Sequence, residues 1–273
     1  MKVDFFCPIW GSAHLSLREF MSRVKEAGYD GVEFGFELDS PLKDELILLS
    51  REFSLQLIAQ QYGAAGETFA AYKVDFQKHL EYLSSFNPVF INSQTGKDYF
   101  SFEQNAELVE LAKSIALKTG VRVLHETHRG KFPFCVATTA KFISAFPEIR
   151  FTADFSHFCA VSESFLEDQI DNLRMVIQHS DHIHGRVGHT QGPQVSDPRL
   201  SEWEVAVNHH LTWWDEIVEL HRQKGDKQLT ISPEFGPSPY MANTPGTSDP
   251  VANQWEINVY MMQLLRGRYN QNQ

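Results

Sequence analysis

Short apolar and β-branched runs recur along the chain, beginning near Val3, Gly31, Leu55, Val89, Val121, Ile149, His182 and Gln228, with stretches of helical period between them. In the first such stretch Leu17, Phe20, Met21, Val24 and Ala27 share one face, behind a capping box of Ser16 and Glu19 and ahead of a stop at Gly28. Another follows Ser101, whose box partner is Gln104, carries Leu108, Leu111, Ile115 and Ala116, and ends at Gly120. Strands alternating with helices of this length pair in parallel through right-handed crossovers. Eight such units predict an α/β fold, a (β/α)8 TIM barrel spanning residues 1–273 as one domain. The rival, an open doubly wound sheet, calls for a Gly-rich phosphate loop after the first strand, where this chain reads CPIWGSAH with a single glycine. The interval from His182 to Gln228 is the longest and predicts an extra loop, Gly188–His210, after the seventh strand.

Composition narrows the function classes. The chain has 273 residues, 42% hydrophobic and 22% charged, the balance of a globular protein. Its net charge of -11, with no Lys/Arg block, argues against a nucleic-acid partner and for a small molecule. Cys7, Cys135 and Cys159 are widely spaced and form no C-x-x-C pair, so neither a disulfide framework nor a structural zinc motif is expected and a reducing, cytoplasmic location fits. Asp4 and Pro8 interrupt the first apolar run, and no run is long enough for a membrane span, so neither a signal peptide nor a membrane partner is expected.

Along a barrel strand alternate side chains point inward, and those at the C-terminal end line the mouth. Glu126, Asp154, His184 and Glu234 all stand where an apolar strand gives way to a polar loop, in the half of the chain that holds ten of the twelve histidines. Three carboxylates buried together oppose one another's ionisation unless a cation neutralises them, and three carboxylates with one imidazole suit Mn2+, Co2+, Mg2+ or Zn2+. His182 shares a face with His184 and is the second imidazole candidate. Glu33, Gln61 and Asn92 end the second, third and fourth strands and are candidates to line the pocket or to cap loops. His128 and His157 are candidate substrate contacts, while Arg129, Lys131 and Arg186 offer positive charge for an anionic group or for the carboxylates themselves. Trp10 and Phe34 are candidate sugar-facing aromatics; Trp213 and Trp214, at the opening of the seventh helix, read as packing.

The series HETHRG, ADFSH, HIHGRVG and SPEFGP at successive strand ends, with GYDGVEFG at the second, resembles the xylose-isomerase-like barrel superfamily over nearly the whole chain. That superfamily includes sugar isomerases, ketose 3-epimerases, hydroxypyruvate isomerases, inosose dehydratases and an apurinic endonuclease branch. The resemblance implies one divalent metal ion on Glu126, Asp154, His184 and Glu234, with Glu126 and Glu234 flanking the reacting carbon as the catalytic pair. It also implies substrate contacts from His157 and from Arg186 or Arg199, although in the epimerases the arginine lies further along the loop than Arg186, two residues past His184. The expected activity is a metal-dependent isomerase or epimerase of a sugar, sugar phosphate or related polyhydroxy carbonyl compound, moving a proton between the two glutamates through a metal-stabilised enediolate. The Gly188–His210 loop then reads as a selector of substrate or as a homodimer contact. A lyase acting on a cyclic polyol through the same enolate is the main alternative. An endonuclease would need a basic surface and more early histidines than His14 and His79, and a binding protein without chemistry would not need both carboxylates.

Overall fold

Residues 1–270 are described in the computed structural model. Eight strands, β1 (Lys2–Pro8), β2 (Gly31–Phe34), β3 (Gln56–Gln61), β4 (Ile91–Ser93), β5 (Val123–Glu126), β6 (Phe151–Ala153), β7 (Ser180–His184) and β8 (Gln228–Ser232), pair in sequence order, all parallel, and β8 closes onto β1. The expected (β/α)8 TIM barrel is the observed fold. Each strand starts within two residues of its sequence-based position. The late starts of β5 and β6 follow from Val121 and Ile149, which are buried in the core just before strand pairing begins.

Two apolar layers make the core. Phe6, Ile58, Phe90 and Leu124 form a small cluster of their own, separate from the large one between strands and helices that includes Val32, Ile91, Phe151 and Ile183. Because side chains alternate across a strand, the inner cluster sets the parity of everything above it. Two residues beyond Ile58, Phe90 and Leu124 stand Gln60, Asn92 and Glu126, which therefore face the barrel axis at its C-terminal end.

The outer ring is α1 (Leu17–Ala27), α2 (Lys43–Glu52), α3 (Phe69–Ser84), α4 (Phe102–Thr119), α5 (Val136–Ala145), α6 (Phe155–Ser162), α7 (Ile170–Gln178), α8 (Glu204–Lys224) and α9 (Gln254–Tyr269). Both expected capping boxes are present, Ser16 with Glu19 on α1 and Ser101 with Gln104 on α4; Gly28 and Gly120 end those helices at φ of 90° and 74°, backbone that glycine adopts without steric cost. Two expectations are corrected. The Gly188–His210 segment is not loop throughout, because a 3-10 turn at Ser201–Trp203 leads straight into α8, a 21-residue helix that absorbs much of the long interval. For the same reason Trp213 and Trp214 lie mid-helix rather than at its opening, where both are buried in packing as expected. Among the described residues no helix is long and apolar enough to cross a membrane.

Candidate active site

Glu126 and His184 are the last residues of β5 and β7, Asp154 directly follows β6, and Glu234 lies two residues past β8. The fold brings all four to one point: a donor atom from each lies within 4.8 Å of every other, and Glu126, Asp154, His184 and Glu234 are buried. Each carboxylate is held from outside the cluster. Glu126 accepts from Asn92 Nδ2 at 2.9 Å and from Gln94 Nε2 at 3.3 Å. Glu234 accepts from Gln60 Nε2 at 3.0 Å. Asp154 caps α6, taking the Ser156 amide at 3.1 Å and the Ser156 hydroxyl on Oδ1, while its Oδ2 takes Arg186 Nη2.

His184 presents its two nitrogens differently. Nε2 lies 3.0 and 3.2 Å from the oxygens of Glu33. Nδ1 lies 2.9 Å from Glu234 Oε2 but at an angle that makes no hydrogen bond, so it is a buried nitrogen without a hydrogen-bond partner that faces three carboxylates. A ring nitrogen aimed at three carboxylates is a place where a divalent ion can replace a proton, and the donor set, three carboxylates and an imidazole, fits a hard to borderline divalent ion.

The charge states agree with a site short of positive charge. Burial, reinforced by Glu234 and Asp154, pushes the Glu126 carboxyl up to about 8 in spite of His184. Burial also raises Asp154, with Arg186 opposing. Glu234 falls below the usual range because His184 and Arg186 outweigh burial, and His184 rises well above its own because Glu234, Glu33 and Glu126 do the same. With Glu33 included, four carboxylates share the positive charges of His184 and Arg186, and Glu126 is the one pushed up to about 8.

Above the cluster opens a cavity of about 340 Å³ whose walls include Trp10, Gln60, Tyr62, Gln94, His128, Arg186 and Tyr240 as well as Glu126 and Glu234. Its volume and mixed lining suit a small polar ligand. Of the residues expected to meet substrate, His128, Arg186 and Trp10 line it. Others are placed elsewhere. Glu33 lies beneath His184, 1% exposed, and Gln61 faces outward to accept from Ser93 Oγ at 3.1 Å, its expected place taken by Gln60 on the inward parity. His157 is buried behind Arg186, whose Nη2 is 2.8 Å from His157 Nε2, and its ring packs on His128. Arg129 is exposed over the Tyr240 ring, Lys131 is buried next to Lys97, and Phe34 packs on Phe36 and Phe86. Arg199 is engaged with Asp197, and the Gly188–His210 segment touches the site indirectly, through Gln194, which accepts from the Gly236 amide at 2.8 Å and donates to its carbonyl at 3.2 Å.

Tyr62, Gln94 and Tyr240 were not anticipated. Tyr62 continues the inward parity of Gln60, a readable signal; Tyr240 sits in the 233–253 connection after β8, which no strand-to-strand interval measures.

No protein-family model and no curated protein matches the sequence. Solved structures match it by shape. A xylose isomerase domain containing protein from Salmonella typhimurium superimposes at a TM-score of 0.65 with 14% identity, over 98% of this chain and 97% of the other. A D-allulose 3-epimerase from Methylomonas sp. does so at 0.63 with 12% identity, over 98% of both chains. A probable 3-DHS dehydratase from Bacillus anthracis does so at 0.61 with 16% identity, over 98% of this chain and all of the other. At such identities the likeness is one of architecture: the chain shares the closed (β/α)8 barrel of these proteins.

Proposed function

We propose that the protein is a divalent-metal-dependent isomerase or epimerase of a sugar, sugar phosphate or related polyhydroxy carbonyl compound. The observation that carries this reading is the convergence of Glu126, Asp154, His184 and Glu234 on one point at the floor of a sugar-sized cavity. Those four residues would hold the ion, Mn2+, Co2+, Mg2+ or Zn2+, whose charge would offset negative charge developing on a substrate's carbonyl and hydroxyl oxygens.

The chain's own groups do the rest. Glu126 and Glu234 come from β5 and β8, both line the cavity, and each is oriented by an amide, Asn92 and Gln94 for one and Gln60 for the other. One glutamate takes a proton from carbon next to the carbonyl, and the other returns one to the opposite face or to the neighbouring carbon. Arg186 and His128 supply polar contacts on one wall, and Trp10, Tyr62 and Tyr240 add aromatic surface that packs on a sugar and displaces water. The same proton abstraction followed by loss of a hydroxide would make a dehydratase, the activity named for the Bacillus anthracis barrel. Against a nucleic-acid substrate stand the net charge of -11 and the positions of His14 and His79, which are in none of the candidate donor groups.

A panel of ketoses, aldoses, their phosphates and inososes incubated with Mn2+-loaded protein in deuterated water tests the reading. Deuterium entering carbon, with an isomer as product, is expected. Loss of water as the sole reaction would favour the lyase, and no exchange with any member, with the metal bound, would overturn the proton-transfer role.

A further inference from the structure

Glu33 has no part in the cavity wall, yet it is a carboxylate at 1% exposure in the middle of a barrel, an expensive group to bury without purpose. Its surroundings account for it. His184 Nε2 is 3.0 Å from Oε1, Asn92 Nδ2 donates to the same oxygen at 3.0 Å, and His182 Nε2 is 3.4 Å from Oε2. His182 is fixed in turn by Thr230, whose Oγ1 and carbonyl oxygen lie 2.7 and 3.0 Å from its Nδ1, and by the Phe90 ring packed against it. Asn92 joins both ends of the arrangement, since its Nδ2 also reaches Glu126 at 2.9 Å.

A carboxylate can only accept, so the hydrogen between Glu33 and His184 belongs to Nε2. A neutral His184 is then the Nε2–H form, and its free lone pair is on Nδ1, the nitrogen that faces Glu126, Asp154 and Glu234. We infer that Glu33 is a positioning residue: it fixes the tautomer and ring orientation of His184 so that Nδ1 is presented to the carboxylate cluster, and it thereby sets the affinity of that cluster for a divalent cation. The affinity part rests on the metal reading of the proposed function; the tautomer part does not. An imidazole whose outer N–H meets a carboxylate is more basic and loses less orientational freedom when its other nitrogen binds, and removing such a partner typically costs about 10- to 100-fold in metal affinity.

Two measurements on the full chain test this. In metal-free, 15N-labelled protein, at a pH where the ring is neutral, long-range proton–nitrogen spectra should show His184 as the Nε2–H form; an Nδ1–H form would overturn the inference whatever the metal result. Mn2+ titration by calorimetry or electron paramagnetic resonance should give one ion per chain in the wild type, and about 10-fold or weaker affinity in Glu33→Gln, with unchanged stoichiometry and a cooperative thermal melt. Glu33→Gln keeps the shape and one accepting oxygen while exchanging the charge and the second acceptor for an NH2 donor, so it decides the question even if Glu33→Ala does not fold. Unaltered affinity in Glu33→Gln overturns the inference. So does a wild type that binds two ions and a variant that binds one, because Glu33, His182 and His184 also form a group of donors and Glu33 would then itself be a ligand. A wild type that binds no Mn2+ defeats the metal reading, and the affinity role with it, and leaves the tautomer to be decided by the spectra.

Discussion

Arg186 and Asp154 form a fully buried ion pair on the cavity side of the carboxylate cluster: Nη2 of the arginine donates to Oδ2 of the aspartate, and the same nitrogen is 3.6 Å from Glu234 Oε2. Arg186 follows His184 by two residues, so parity sends it to the same face, and its guanidinium lies over the Tyr240 ring at 4.7 Å. It is at once the fixed counter-charge of the cluster and a wall of the cavity.

Removing that charge should expose the cluster's dependence on cations. Arg186→Met in chelator-treated protein is expected to lose about 3 to 5 kcal/mol of stability, the usual cost of breaking a buried pair on one side. Saturating Mn2+ should then stabilise the variant by more than it stabilises the wild type, because the ion replaces the missing positive charge. Thermal melts of both proteins with and without Mn2+ check this, and equal metal-induced shifts would contradict the counter-charge role.

Metal content itself is the next test. Asp154→Asn keeps a cap for α6 and most of the shape, and Glu234→Gln keeps a group that Gln60 can meet, so both should fold. Elemental analysis of each is expected to show well under one ion per chain where the wild type holds one. Full occupancy in both folded variants would remove them from the ligand set.

Glu126 carries a pH signature. Its carboxyl, raised by burial and by Glu234 and Asp154 to about 8, binds a proton in the metal-free folded chain over a range in which the unfolded chain, near the ordinary glutamate value of 4.5, has released it. Stability from this group is therefore complete below about 4.5 and is lost as pH rises toward 8, a slope of up to one proton in that window. Glu126→Gln should flatten the metal-free stability profile between those limits relative to the wild type, and at Mn2+ concentrations high enough to fill its weakened site it should abolish deuterium exchange at the substrate carbon. Denaturant titrations at several pH values and the exchange assay read the two effects separately; an unchanged pH profile would show that Glu126 is not the protonated member, and undiminished exchange that it is not a base.

The barrel and the four converging donors were legible because both depend on strand order and parity, which the apolar pattern carries directly. Parity failed at β3, where Gln60 and Gln61 are adjacent and identical in type; only the inward position of Ile58, known once the inner cluster of Phe6, Ile58, Phe90 and Leu124 is seen, selects Gln60. In the sequence Glu33 is a candidate for the pocket wall or for a loop cap, because a strand-end carboxylate looks the same whether it meets ligand, a loop or a neighbouring imidazole, and the difference is the depth of β2 relative to β7, a register that sequence does not carry. The long interval before β8 proved to be helix as much as loop, since α8 simply has more turns than its neighbours. The connection after β8 was invisible to the same reasoning, for a segment beyond the last strand has no following strand against which its length can be judged.

That connection provides the remaining prediction. Tyr240, from the 233–253 segment, lies over Arg186 at 4.7 Å and Arg129 at 5.1 Å and meets Trp10 edge-on at 5.2 Å, so it roofs one side of the cavity without touching the donor cluster through a hydrogen bond. Its loop is anchored at the root, where Gln194 pairs with Gly236 and the side chains of Asn258 and Gln254 donate to the Phe235 carbonyl at 3.0 and 2.9 Å. Ring contacts of this kind are each worth about 0.5 to 1.5 kcal/mol, so Tyr240→Ala should raise KM by about 3- to 10-fold through loss of packing on substrate and looser placement of Arg186. Tyr240→Phe keeps the ring and should stay near the wild type. Metal content should not change in either variant, because Glu126, Asp154, His184 and Glu234 are positioned from β5, β6, β7 and the start of the β8 loop, below the roof. Steady-state kinetics together with elemental analysis separate these outcomes: a Tyr240→Ala protein that loses metal would place the tyrosine in the support of the cluster, and one with unaltered KM would leave the roof without a role in binding.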